Sequence, residues 1–361
     1  VKQNAQHRAA GWTKKRHKRL DQPPHFVSPT LTYQLGRDYG VKADQQVSVL
    51  TLAGRIVVAY SGYGRHIAFI QHEAALGAAK LWYDKPCKQF YLLVSFTVEV
   101  PDSTPDSTPA VQWQIVGVDV GQRYLAVATN MQNQTQFFSG SEARAKADHY
   151  ARLRKRLQHK GTRSATRRLV VLAGRERRLK HERNHHISRQ VVDTYPHSLI
   201  GLEDLTHIRE RTKRRRRHGK RATVKQRRAN RHASRWAFAE LHSYVAYKAL
   251  LVGSLAVKVD AYKTSQQCPR CGCTSEDNRP ERGLLFLCQN PACQLVLHAD
   301  LIGARNVALR TLLARQDWVR MGVVSERPEV SDGEAKAAGR QRYAELRWSP
   351  DASSMAPARS I

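Results

Sequence analysis

Four cysteines and three acids are the residues of this chain whose types and spacing could do chemistry. Cys268 and Cys271 enclose two residues, Cys288 and Cys293 enclose four, and sixteen residues separate the pairs. Thiolates spaced in this way can close a tetrahedron on zinc, each short pair bending through a tight knuckle while the stretch between them folds back as a hairpin. A zinc ion that takes all four ligands from protein organises a fold and leaves the reaction to other groups. Asp300 follows seven residues after Cys293, in the run HADLIGARNVALR, where it opens a helix; Asp119 lies within the apolar run IVGVDVG, and Glu203 ends the apolar run SLIGLED. One acid at a strand end ordinarily caps or turns the chain. A carboxylate within an apolar strand, however, carries a desolvation penalty unless a cation receives it, and three together repel one another. Divalent metals relieve that repulsion, and oxygen donors of this kind suit Mg²⁺ or Mn²⁺. Two such ions about 4 Å apart activate a water and stabilise the departing oxygen of a phosphodiester, so the implied reaction is hydrolysis of nucleic acid.

The elements that must position these groups can be read from the patterning. Phe26 to about Val100 gives short strands (LTYQLG, QQVSVLTLAG, RIVVAYSG, RHIAFIQ, AAKLWYD and QFYLLVSFTVEV), the pattern of a small β-barrel or sandwich. PDSTPDSTPA then breaks all periodicity and reads as a linker. WQIVGVDVG, YLAVATN and TQFFSG follow as an antiparallel meander, and Glu142 to Asp193 as a basic helical hairpin turning near Gly161. SLIGLEDL is a strand, WAFAELHSYVAYKALLVGS a helix, and LAVKVDAYKTS a strand leading to the cysteines. His181, His185 and His186 in the hairpin read as phosphate contacts or packing, and His298 stands beside Asp300. Trp236, Phe238, Tyr244 and Tyr247 read as helix packing, Tyr262 to Ser265 as a nucleic-acid contact. Cys87 and Cys273 stand outside the zinc pattern.

Charge points to the partner. Lys and Arg number 61 against 30 Asp and Glu, a net charge of +31. An excess so large calls for a polyanion, and nucleic acid is the commonest one. The run from Arg209 to Arg235 concentrates it, with Arg214, Arg215, Arg216, Arg217, Lys220, Arg221, Arg227, Arg228 and Arg231 as expected backbone contacts; the alternative is a solvated loop. No apolar run is long enough to cross a bilayer, so no membrane partner is expected, and the expected location is the cytoplasm, associated with the nucleoid.

As an ordered set, GVDVGQRYLAVATN, IGLEDL, the cysteine pairs and HADLIGARNVALR resemble the transposon-encoded TnpB (OrfB) family, relatives of type V CRISPR effector nucleases. The resemblance runs from about Val111 to Arg310. It implies an α/β fold: an RNase H-like (RuvC) domain with an inserted zinc ribbon and a helical hairpin, preceded by a partial, wedge-like β-barrel. The expected bounds are 1–100 for the barrel with its basic N-terminal stretch, 101–110 for the linker, 111–265 for the first part of the nuclease domain, 266–297 for the ribbon, 298–316 for the last nuclease helix and 317–361 for a disordered tail. Catalytic roles carry over to Asp119, Glu203 and Asp300: Asp119 and Asp300 share one Mg²⁺ or Mn²⁺, Glu203 helps hold the other, and water attacks. The implied partners are target DNA and a guide RNA made from the transposon end. Only about 110 residues precede the first motif and the chain starts at Val1, so the family's recognition lobe and first barrel strand are expected to be missing through truncation. The four-residue gap between Cys288 and Cys293 also departs from the family's usual two. Two other readings stay open: a zinc-ribbon protein that binds nucleic acid without cutting it, and a transposase that joins DNA ends.

Overall fold

The structure is a computed structural model that describes residues 9, 30–73, 75–84, 88–99, 113–121, 123–206, 237–280, 283–321 and 333–348. Residues 101–110, Cys87, most of the basic N-terminal stretch, the Arg209 to Arg235 run and Trp236 lie outside the described residues. The chain divides into two compact units, Val1–Glu99 and Val100–Ile361.

The first unit holds two three-stranded antiparallel sheets, ordered β1 (Thr30–Tyr33), β5 (Ala75–Asp84), β6 (Gln89–Thr97), and β2 (Tyr39–Lys42), β3 (Gln46–Thr51), β4 (Gly54–Ala59). Tyr33, Tyr39, Val47, Val49 and Ala79 form its core. The strands hydrogen-bond as two separate sheets, where a closed barrel would run them as one. RHIAFIQ, expected as a strand, instead forms α1 (Gly64–Ala68) and a π-type turn, Phe69–Glu73. So short an apolar run fits either period, and here the amides of His66 and Ile67 close onto the Tyr63 carbonyl while Phe69 stacks on Phe96.

In the second unit a five-stranded sheet runs in the order β11 (Leu255–Val259), β10 (Ser198–Glu203), β7 (Gln114–Asp119), β8 (Tyr124–Asn130), β9 (Thr135–Ser139). β7, β8 and β9 form the antiparallel meander; β10 lies parallel to β7, and β11 parallel to β10. A basic hairpin, α2 (Ser141–Lys160) and α3 (Arg163–Thr194), connects β9 to β10. Gly161 ends α2 at φ +62°, a left-handed position where a Cβ costs energy, and the Thr162 hydroxyl caps α3 by accepting from the Ala165 amide at 3.2 Å. One face of α3 is apolar and the other carries exposed Arg167, Arg168, Arg175, Arg177 and Arg178. Ile187, Val191 and Val192 of α3, with Leu241 and Val245 of α4 (Phe238–Leu250), cover one side of the sheet by burying Val116, Val118, Ile200 and Leu202.

The opposite side takes α5 (Ala299–Met321), which packs across β7, β8, β10 and β11. Gly117 and Gly201 sit side by side in register beneath it. A Cβ at Gly117 would lie 2.1 Å from the Ala304 carbonyl oxygen, and one at Gly201 would lie 1.7 Å from the Thr311 hydroxyl. Two adjacent bare backbones therefore let the helix settle on the strands. The stretch expected to be a disordered tail is partly ordered: α5 extends to Met321, α6 spans Gly333–Glu345, and Trp348 is buried beside Trp113, Ile115 and Leu199. Trp348 supplies the apolar anchor that periodicity alone did not reveal.

Candidate active site and metal centre

Residue type and sheet topology together bring the three acids to one end of the sheet. Asp119 is the last residue of β7 and Glu203 the last of β10, parallel neighbours paired through Leu202 and Val118. Asp300 is the second residue of α5, where a helix N-terminus favours a negative side chain. The first turn of α5 presses on β7 so closely that a Cβ at Gly303 would lie 2.8 Å from Asp119 Cγ, and one at Gly121 would lie 4.0 Å from Asp300 Oδ2. Glu203 and Asp300 are only 7% and 8% exposed.

The electrostatics follow from this burial. Desolvation, reinforced by repulsion from Glu203 and Asp300, holds the Asp119 carboxyl well above the usual carboxylate range. Burial also raises Glu203, against the opposing pull of the Thr264 hydroxyl, which donates to Glu203 Oε1 at 2.6 Å, and of the Arg310 charge. Arg279 donates to Asp300 Oδ1 at 3.4 Å and is the cation that opposes the rise of Asp119. The Asp300 amide donates to His298 Nδ1 at 3.2 Å, so that ring carries its proton on Nε2, which is buried with no partner. Two buried carboxylates and a partly buried third that both of them raise, with so little countercharge, suit a hard divalent cation.

The thiolate centre is built beside them. Sγ atoms of Cys268, Cys271, Cys288 and Cys293 all fall within 4.8 Å of one another, and among the described residues no other group of His, Cys, Asp or Glu is so compact. Cys268 and Cys293 are 3.8 Å apart and Cys271 and Cys288 3.5 Å. Zn–S bonds of about 2.3 Å in a tetrahedron require S···S of roughly 3.8 Å, so the donors fit zinc in type, number and spacing. The longer second gap is absorbed by Asn290, whose carbonyl accepts from the Cys293 amide at 3.0 Å and whose Oδ1 accepts from the Ala292 amide at 3.0 Å. Cys273 stays outside the cluster, and its carbonyl accepts from the Cys268 amide at 2.9 Å. A hairpin of β12 (Leu285–Leu287) and β13 (Val296–His298) carries the second pair, and β13 runs directly into α5, so the ribbon sets the direction from which Asp300 arrives.

Other sequence-selected residues fall differently. Arg214, Arg215, Arg216, Arg217, Lys220, Arg221, Arg227, Arg228 and Arg231 lie outside the described residues. Thr264, read as part of a nucleic-acid contact, points inward to Glu203, and Arg340 covers the Tyr262 ring at 4.0 Å. His181 and His185 pack with Tyr244, as a helix interface would have them, although Tyr247 beside them remains exposed. Arg310 and Asn306 went unread. Both lie on one face of α5, four residues apart, and an Arg buried among Val307, Ala308 and Leu309 is the signal that could have found the first.

Residues 238–307 match the family model described as Cas12f1-like, TNB domain. Two curated relatives also match. The CRISPR-associated endodeoxyribonuclease Cas12f1 of Sulfoacidibacillus thermotolerans is 26% identical over 279 residues, covering 70% of this chain and 58% of that protein. Cas12f2 of Micrarchaeota archaeon (strain CG1_02_47_40) is 37% identical over 78 residues, 21% of this chain and 14% of that protein. The chain thus spans less than two thirds of the length of either. Among solved structures, a Cas12f1-sgRNA-target DNA complex aligns at TM-score 0.42 with 14% identity, covering 79% of this chain and 68% of that one. The mini-RNA-guided endonuclease CRISPR-Cas_phi3 aligns at 0.45 with 14% identity, covering 74% and 57%.

Proposed function

We propose that this chain is a metal-dependent DNA endonuclease guided by RNA, with an RNase H-like (RuvC) catalytic domain and a structural zinc ribbon. The observation that carries the reading is the arrival of Asp119, Glu203 and Asp300 from β7, β10 and α5 at one end of the sheet, close enough for Glu203 and Asp300 both to raise Asp119. A meander followed by parallel strands, with a helix lying across them, supports the RNase H-like assignment. The endodeoxyribonuclease named among its relatives supports DNA as the substrate.

In this reading the three carboxylates would hold two Mg²⁺ or Mn²⁺ ions, Asp119 and Asp300 on one and Glu203 on the other. Bound ions would supply water activation and neutralise charge on the departing oxygen. The protein's own work is positional. Thr264 orients Glu203, the pressed turn at Gly303 orients Asp119, and the ribbon delivers Asp300. Arg279 lies against Asp300 and would keep a positive charge beside the carboxylates, where a phosphodiester would also be received. Guide and target would lie along basic surface such as the exposed face of α3, with the protein reading the backbone of the heteroduplex and pairing reading its sequence. The guide would come from a transposon end, as the resemblance to the TnpB family implies.

The test is cleavage of matched DNA in Mg²⁺ by the purified full chain loaded with RNA that co-purifies from its own locus. Asp119→Ala is expected to lower the rate by about 10³-fold or more. Equal cutting by Asp119→Ala, or binding without any cutting, would end the nuclease reading. Joined products would move the assignment to strand transfer.

A further inference from the structure

We propose that the segment Gly333–Trp348 is a clasp that positions Glu203, acting through Arg310 and the loop Asp260–Gln267. The clasp is tied down at its C-terminal end, where Trp348 reaches two different elements. The Trp348 amide donates to the Pro269 carbonyl at 2.7 Å, within the first cysteine knuckle, and Trp348 Nε1 donates to Asn133 Oδ1 at 3.1 Å in the β8–β9 turn. Arg305 of α5 donates to the same Asn133 oxygen at 2.9 Å and lies over the Trp348 ring at 5.1 Å. Gly272 is so tightly covered that a Cβ there would lie 2.3 Å from the Ala344 carbonyl oxygen. Gln267 donates its side-chain amide to the Tyr343 carbonyl.

From here contacts lead inward without a break. The Tyr343 ring lies 4.3 Å from the Arg310 guanidinium, a cation on an aromatic face. Arg310 is 3% exposed, and its donors go to the Asp260 carbonyl, to the Tyr262 carbonyl at 2.7 Å and to Gln267 Oε1 at 3.2 Å. Asn306, one helical turn earlier, donates at 2.7 Å to the carbonyls of Thr264 and of Gln267. The loop is thereby fastened to the same helix that bears Asp300, and its Thr264 hydroxyl holds Glu203 Oε1 at 2.6 Å. Partners that orient a metal-binding carboxylate fix its aim and its affinity. Tyr343, Arg310 and Thr264 are therefore positioning residues.

This inference rests on Glu203 binding a divalent metal, so the test reads metal binding directly and needs neither guide nor cleavage. The zinc-loaded full chain is titrated with Mn²⁺ by calorimetry, alongside Tyr343→Leu, Tyr343→Phe and Thr264→Val. Tyr343→Leu and Thr264→Val are expected to weaken Mn²⁺ binding by about 10-fold, while Tyr343→Phe, which keeps the ring face, binds as the native chain does. Zinc content and thermal midpoint report whether each variant has folded. Native-like Mn²⁺ affinity in Tyr343→Leu overturns the clasp, as does a loss that Tyr343→Phe shares in full. Should Tyr343→Leu not fold, Thr264→Val decides: unchanged affinity there removes the path to Glu203. Weakened Mn²⁺ binding in a chain that cuts no DNA would uphold the clasp and reject the nuclease reading; no Mn²⁺ binding by the native chain would reject the metal site and the clasp with it.

Discussion

Asp119 is held in a state that folding alone does not favour. Burial and the two neighbouring acids raise its folded pKa above the unfolded value, so its contribution to stability is complete at low pH and is lost as pH rises through the folded pKa. Without divalent cations, Asp119→Asn should therefore be more stable than the native chain at pH 8 by roughly 1–2 kcal/mol, with the gain shrinking toward pH 4. Thermal unfolding at both pH values checks this; a gain that grows on acidification would contradict the burial account. His242 on α4 shows the opposite sign. It is buried, its Nε2 has no hydrogen-bond partner, and burial followed by repulsion from Lys258 takes its pKa down to about 4. An unfolded imidazole near 6.5 binds its proton first, so this histidine costs the fold roughly 3 kcal/mol as pH falls from 6.5 to 4. His242→Gln should flatten that part of the stability profile, which denaturant unfolding at pH 7 and pH 4.5 would show.

Among the elements, α5 does the most to build the site, and it can do so because β7 and β10 offer it glycine at the crossing. Gly117→Ala would drive a methyl into the backbone of Ala304 and Ala308, atoms that cannot turn aside, and should destabilise the second unit by about 3 kcal/mol or more. Gly303→Ala is the milder and more informative change, since its methyl would meet the Asp119 carboxyl: folding should survive while Mn²⁺ affinity falls, and calorimetry would separate the two. The acids and cysteines were legible in the sequence because each carries a local mark, a charge inside an apolar run or a short thiol pair. The α2–α3 hairpin was legible too, since its apolar period and its Gly161 break are both local. Thr264, Arg310 and Tyr343 were not. Their hydrogen-bond partners lie 61, 43 to 50, and 76 residues away in the chain, and neither an arginine among aliphatic helix residues nor a tyrosine in a polar stretch says which distant carbonyl it will meet. The helix at Gly64–Ala68 was missed for a different reason: five residues hold too little of any period to choose between helix and strand.

At the scale of the whole molecule, charge outweighs every other property. A net charge of +31 must repel itself in the bare chain, and it is concentrated in the segment Arg209 to Arg235 and on the hairpin. A nucleic acid that neutralises this charge releases its condensed counterions, so affinity should fall linearly in log–log form as salt rises. For single-stranded RNA the slope is about −0.7 per phosphate contacted. Replacing Arg214, Arg215, Arg216, Arg217, Lys220, Arg221, Arg227, Arg228 and Arg231 by Gln removes nine charges and touches neither the acids nor the cysteines. If these side chains meet the backbone, the slope measured by filter binding between about 50 mM and 300 mM salt should become shallower by several units, about 0.7 for each phosphate left without its cation, while zinc content stays the same. If the run is a solvated loop, the two chains should give parallel lines. The exposed arginines of α3 sharpen the comparison: a slope that stays steep in the nine-fold variant and flattens when Arg167, Arg168, Arg175, Arg177 and Arg178 are replaced would move the main backbone contact from the segment to the helix face.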